Sequence, residues 1–61
     1  MAIAIGNRVW VPEHDNWTRR QAKHAESYGV AVYVCAHFVT VYFGDGVRVR
    51  YPRGVLLILD E

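Results

Sequence analysis

Residues 29–52 read Gly-Val-Ala-Val-Tyr-Val-Cys-Ala-His-Phe-Val-Thr-Val-Tyr-Phe-Gly-Asp-Gly-Val-Arg-Val-Arg-Tyr-Pro. The alternation of apolar with polar or aromatic positions predicts three antiparallel strands in a meander. In a half-buried strand every second residue faces the core, so a slip of one residue would expose the whole apolar set. On that basis Val30, Val32 and Val34 form one inward row, Val39, Val41 and Phe43 the next, and Val47, Val49 and Tyr51 the third. For Phe43 and Val47 to share a side, the loop Gly44-Asp45-Gly46 must hold three residues, a length that places a glycine in the left-handed conformation beside a bulge. Val41 then pairs with Val49, and Tyr42 with Arg48. Val34 pairs with Val39 across a four-residue loop, Cys35-Ala36-His37-Phe38, which lacks the Gly or Asn of a tight turn.

Outward from this meander, Met1 to Val11 reads as a first strand in which Ile3 and Ile5 alternate, with a break at Gly6-Asn7 and with Val9 and Val11 facing in. Pro12 closes it, having no N–H for a ladder. Between Glu13 and Tyr28, Asp15 or Asn16 is placed to cap a helix over Trp17 to Ser27, and Gly29 to end it. One or two helical turns are expected there, since so long a structureless connection is unusual in a small domain. After Pro52, Arg53-Gly54 makes a turn and Val55 to Leu59 is apolar at every position, as in a closing strand or one covered on its second face, with Asp60 and Glu61 ending in solvent.

The chain is 61 residues long, 52% hydrophobic and 21% charged, which fits one globular domain over 1–61 and excludes a disordered chain. A domain of this size buries only about 60% of the surface its unfolded chain exposes, so its core must be dense. A single cysteine rules out an internal disulfide framework and favours a reducing, cytoplasmic setting. No apolar run approaches the roughly 18 to 20 residues of a membrane span, and the start Met-Ala-Ile-Ala-Ile-Gly lacks the basic region of a signal peptide. Seven Lys and Arg against six Asp and Glu give a net charge of +1, too small to imply a polyanionic partner, so any such case rests on where the charges sit.

The resulting fold is all-β: five short strands, a long and partly helical first connection, then tight hairpins. Four stretches carry a resemblance to SH3-like barrels of the Tudor and KOW type: Gly6-Asn7-Arg8-Val9-Trp10-Val11, Gly29-Val30-Ala31-Val32, Phe38 to Phe43 before Asp45-Gly46, and Tyr51-Pro52 leading through Arg53-Gly54 to Val55-Leu56. It covers most of the chain from residue 6 and implies a five-stranded SH3-like barrel. The chain is also similar to the plasmid-encoded type II dihydrofolate reductases, whose small SH3-like subunits end in a Tyr-Pro followed by an apolar segment. That family's pore-lining Gln is absent here, where Val49 and Arg50 precede the Tyr-Pro, so its enzyme activity is not carried over.

With the valine rows facing in, Arg8, Trp10, Ala31, Tyr33, Thr40, Tyr42, Arg48 and Arg50 face out, a set without an acid. Aromatic rings stack on bases while guanidinium groups pair with phosphates, which suits single-stranded nucleic acid. The same side chains suit a protein interface, and they are also ordinary strand residues. Arg19, Arg20 and Lys23, beside Trp17 and His24, form a second basic cluster for phosphate contacts. The leading reading is a non-enzymatic nucleic-acid-binding module. The alternative is a protein partner or a homo-oligomer docking through this face and the apolar C-terminal strand. His14, His24, His37 and Cys35 match no zinc spacing, no nucleophile constellation is present, and Gly44-Asp45-Gly46 is too short to cradle phosphate, so neither a cofactor nor a metal is expected.

Overall fold

The computed structural model describes residues 3–59. Its backbone is mostly β, with strands β1 (Arg8–Val11), β2 (Ser27–Val34), β3 (Phe38–Gly44), β4 (Val47–Pro52) and β5 (Leu57–Leu59). A short helix α1 (Arg19–Lys23) lies in the first connection, and a 3-10 turn over Arg53–Val55 precedes β5. All pairings are antiparallel, in a single sheet of order β4-β3-β2-β1-β5. Among the described residues no backbone pairing joins β4 to β5, so this is an open sheet and not the expected closed barrel.

The β3–β4 hairpin holds the expected pairs Val41 with Val49 and Tyr42 with Arg48, but its loop is shorter than expected. Gly44 pairs with Val47, so only Asp45-Gly46 lies between the strands. Both have positive φ, 55° and 78°, the geometry of a two-residue primed turn, and the bulge falls before it, between Tyr42 and Gly44. At the other hairpin Val34 pairs with Val39 as expected. Cys35 N–H donates to the Phe38 carbonyl at 2.9 Å, so the connection between the strands is Cys35-Ala36-His37, with Ala36 and His37 at its tip, in place of the expected four residues.

β2 departs most from the valine alternation. Ala31 is fully buried opposite Val41, while Val30 is exposed opposite Tyr42, so the expected inward row of Val30 and Val32 is wrong up to a bulge. The register shifts between Ala31 and Tyr33, Val32 is absorbed there, and Val34 returns to the inner side. Backbone contacts fix this choice. Gly6 N–H donates to the Ala31 carbonyl at 2.8 Å and Ala31 N–H to the Asn7 carbonyl at 2.9 Å. Steric demand fixes it too, since Gly29 faces in where a Cβ would overlap Val41 Cγ1 and sit 3.1 Å from the Phe43 ring. Small residues thus occupy the inner side of β2 so that valines from both neighbouring strands can close over it.

Before β1, the strand expected to start at Met1 is a turn instead. Asn7 N–H returns to the Ala4 carbonyl at 3.1 Å and Ala4 N–H meets Asn7 Oδ1 at 2.7 Å, with Gly6 at φ 97°. Ile3 is buried but Ile5 is 67% exposed, so these two do not alternate as one strand; Met1, Ala2, Asp60 and Glu61 lie outside the described residues.

The helix is shorter than the expected Trp17–Ser27 span. Thr18, not Asp15 or Asn16, is its N-cap: Gln21 N–H reaches Thr18 Oγ1 at 3.2 Å and Thr18 N–H reaches Gln21 Oε1 at 2.9 Å, a reciprocal capping box. It ends at His24, well before Gly29. Glu26 takes the left-handed conformation, φ 58°, and its N–H donates to the Val11 carbonyl at 2.6 Å, which turns the chain into β2.

The core lies on the concave side of the sheet. Val9, Val11, Ala31, Val39, Val41 and Tyr51 are fully buried, and Ile3, Val49 and Leu56 nearly so. Trp17 is packed against this cluster, its ring 5.0 Å from Tyr51 in a T-shaped contact and its Nε1–H donating to the Pro12 carbonyl at 2.8 Å. Helix α1 lies along the outer edge of β4. Gln21 Nε2 donates to the Arg50 carbonyl at 2.7 Å and Arg20 to the Arg48 carbonyl at 3.2 Å, so carbonyls of an edge strand are occupied by side chains. The Tyr51 hydroxyl donates to the Gln21 carbonyl at 2.9 Å, and burial pushes its pKa up to about 12.

Candidate functional site

The convex face is read directly from the ladders, because residues paired across strands share a side. One row runs Arg48, Tyr42, Val30, Arg8, Leu59 across all five strands. A second runs Tyr28, Trp10, Leu57, and a third Arg50, Thr40, Tyr33. Among the described residues no outward strand position carries an acid. Tyr28, Tyr33 and Leu57 are 58%, 56% and 57% exposed, large apolar side chains left open on this face.

The guanidinium groups on this face lie over aromatic rings: Arg8 over Tyr28 at 5.9 Å, Arg48 over Tyr42 at 5.8 Å and Arg50 over Phe38 at 4.3 Å. Trp10 meets Tyr28 edge to face at 4.7 Å. Such pairs hold the long arginine side chains against the sheet with their charge still at the surface. Tyr42 is steadied further by Gly46 N–H, which donates to its hydroxyl at 3.3 Å. The neighbouring Cys35 thiol, through a hydrogen bond and its own charge, holds the Tyr33 phenol above its usual pKa, while Arg50 pulls the other way. Tyr33 therefore presents a neutral hydroxyl at physiological pH.

Arg8, Trp10, Tyr33, Tyr42, Arg48 and Arg50 are thus brought onto one face, as expected, whereas Ala31 belongs to the core. Arg19, Arg20 and Lys23 sit on α1 at the β4 edge, with Arg20 and Arg48 lining one groove. Trp17 is not on this face: its ring packs inward on Tyr51. Tyr28, Val30, Phe38 and Leu57 belong to the convex face without having been singled out. The signal for Tyr28 and Val30 was the spacing Gly29-x-Ala31, two small residues on the side opposite to them.

Three depressions matter for ligands. A groove of about 320 Å3 on the convex side is lined by Arg8, Tyr28, Val30, Tyr42 and Phe43. One of about 550 Å3 lies beside α1, lined by Arg19, Arg20, Lys23, His24 and Val47. The largest, about 710 Å3, opens between β5 and the β2–β3 turn. Its Arg53 already donates to the Cys35 carbonyl at 3.1 Å, and no set of charges converges there. Among the described residues no three His, Cys, Asp or Glu side chains lie together as metal ligands, and no helix is long and apolar enough to cross a membrane. No protein-family model, curated protein or solved structure matches the chain.

Proposed function

We propose that the chain is a non-enzymatic, SH3-like binding module that takes single-stranded nucleic acid on the convex face of its sheet. The observation that carries this reading is the pair of exposed tyrosines, Tyr28 and Tyr33, set among Arg8, Arg48 and Arg50 on a face whose described strand positions carry no acid. Bases stack on such rings whatever their identity, and the arginines attract the phosphates. The SH3-like reading is supported by five successive antiparallel strands in which the first and last are neighbours. A free Cys35 fits work in a reducing, cytoplasmic compartment.

A titration of tryptophan fluorescence with short single-stranded and duplex oligonucleotides tests this, because Trp10 touches Tyr28 on the proposed surface. Saturable quenching that favours single strands and weakens with salt is expected. Absence of any response at low salt removes the reading. A protein-docking or self-associating module is the second reading, favoured by Leu57, exposed on a short strand at the sheet edge. It predicts association that is insensitive to salt, visible by sedimentation of the protein alone.

A further inference from the structure

The structure adds a direction. Resting on the nucleic-acid reading above, we infer that a single strand crosses the sheet perpendicular to its β-strands, from Arg8 over Tyr28 and Tyr42, and leaves over the β3–β4 end onto the exposed cations of α1, Arg19 and Lys23.

The convex groove is itself transverse, with Arg8 from β1, Tyr28 and Val30 from β2, and Tyr42 and Phe43 from β3. A path along the strands would leave it at once. The row that crosses the groove continues from Tyr42 to its cross-strand partner Arg48 on β4, toward α1, while the Phe43 ring that stacks on His24 lies on the inner side against Tyr51. Arg48, over the Tyr42 ring on one side, lines with Arg20 the groove between β4 and the helix. The cations do not all have the same task. Arg20 is engaged with the Arg48 carbonyl at 3.2 Å, whereas Arg19 and Lys23 are exposed and one helical turn apart, on one side of α1. From Arg8 to Arg48 is three strand spacings, about 14 Å, and the helix extends the path, so the site holds about four to six nucleotides, the small end of what single-strand binders cover. Bases lie toward the tyrosines, and the last phosphates lie toward Arg19 and Lys23.

The test is a length series of fluorescein-labelled oligothymidylates, two to ten nucleotides, followed by anisotropy at several salt concentrations with the full chain and with R19A/K23A. Affinity of the unaltered protein is expected to climb to about six nucleotides and then level off. The double variant is expected to match it on the shortest oligomers, to lose most of the gain from lengthening, and to show a salt slope smaller by about 1.4, or 0.7 for each lost phosphate contact on a single strand. If the unaltered protein binds but R19A/K23A matches it in slope and at every length, the strand does not exit over α1 and the inference fails alone. If the unaltered protein binds no oligomer, the nucleic-acid reading fails with it. Far-ultraviolet circular dichroism of the variant, expected to overlay the unaltered protein, separates lost contacts from lost structure.

Discussion

The side-chain amide of Gln21 donates to the backbone carbonyl of Arg50 at 2.7 Å, so one residue of a five-residue helix seals part of the sheet's edge. Gln21 also completes the capping box with Thr18. Gln21→Ala removes half the cap and leaves an edge carbonyl without its protein donor, for a cost of about 1–2 kcal/mol. Urea denaturation is expected to show a lower midpoint with an unchanged slope; an unchanged midpoint would mean that the helix is not coupled to β4.

Gly29 is held to glycine by its neighbours. Gly29→Ala places a methyl against Val41 and Phe43, and overpacking of this kind costs about 1–3 kcal/mol, a large share of what so small a domain has. Gly54→Ala is the control, because nothing lies within 4 Å of its Cβ position. Thermal unfolding should separate the two clearly. Equal melting temperatures would show that β2 does not approach β3 as described.

Tyr51 gives stability a pH dependence whose sign is fixed. Its pKa is 10.0 when unperturbed and about 12 in the fold, so between those values the folded state keeps a proton that the unfolded chain has lost. Stability from this group is complete below pH 10 and declines as pH rises through the window. Tyr51→Phe removes the term along with the bond to Gln21, so the unaltered protein's advantage over the variant should shrink between pH 9.5 and about 12. A difference that stays constant over that range would contradict the burial of the hydroxyl.

The convex tyrosines are expected to behave in the opposite way to Tyr51. Tyr28→Ala and Tyr33→Ala remove exposed rings, so unfolding should move by no more than about 0.5–1 kcal/mol, while oligonucleotide affinity should drop by about 1–3 kcal/mol at Tyr28, which lies on the transverse path, and by less at Tyr33, which lies beside it. Retained affinity in both variants would sink the stacking platform.

The β3–β4 meander was legible because both strands alternate without interruption, and Val39, Val41, Val49 and Tyr51 lie where that pattern places them. β2 was not, since Val30, Val32 and Val34 form a better apolar series than Gly29 and Ala31, and a bulge that absorbs one residue leaves no mark in a run of strand formers. The capping box was present in Thr18-Arg19-Arg20-Gln21, but Asp15 and Asn16 were stronger candidate caps by residue type. Half of the convex face followed from parity in β1, β3 and β4. Of the rest, Tyr28 and Val30 depended on the β2 register and could only be placed with it. Ala31→Val is therefore expected to destabilise by about 1–3 kcal/mol while Val30→Thr is nearly neutral, the reverse of what the valine pattern alone implies.

The two margins of the sheet are unlike. Side chains of α1 occupy carbonyls along β4, while among the described residues no hydrogen bond covers the far side of β5. Strand-by-strand growth into a fibre needs two receptive margins on every molecule. With two carbonyls of β4 already occupied, backbone-ladder association is steered toward the β5 margin, and so toward a pair rather than a fibre.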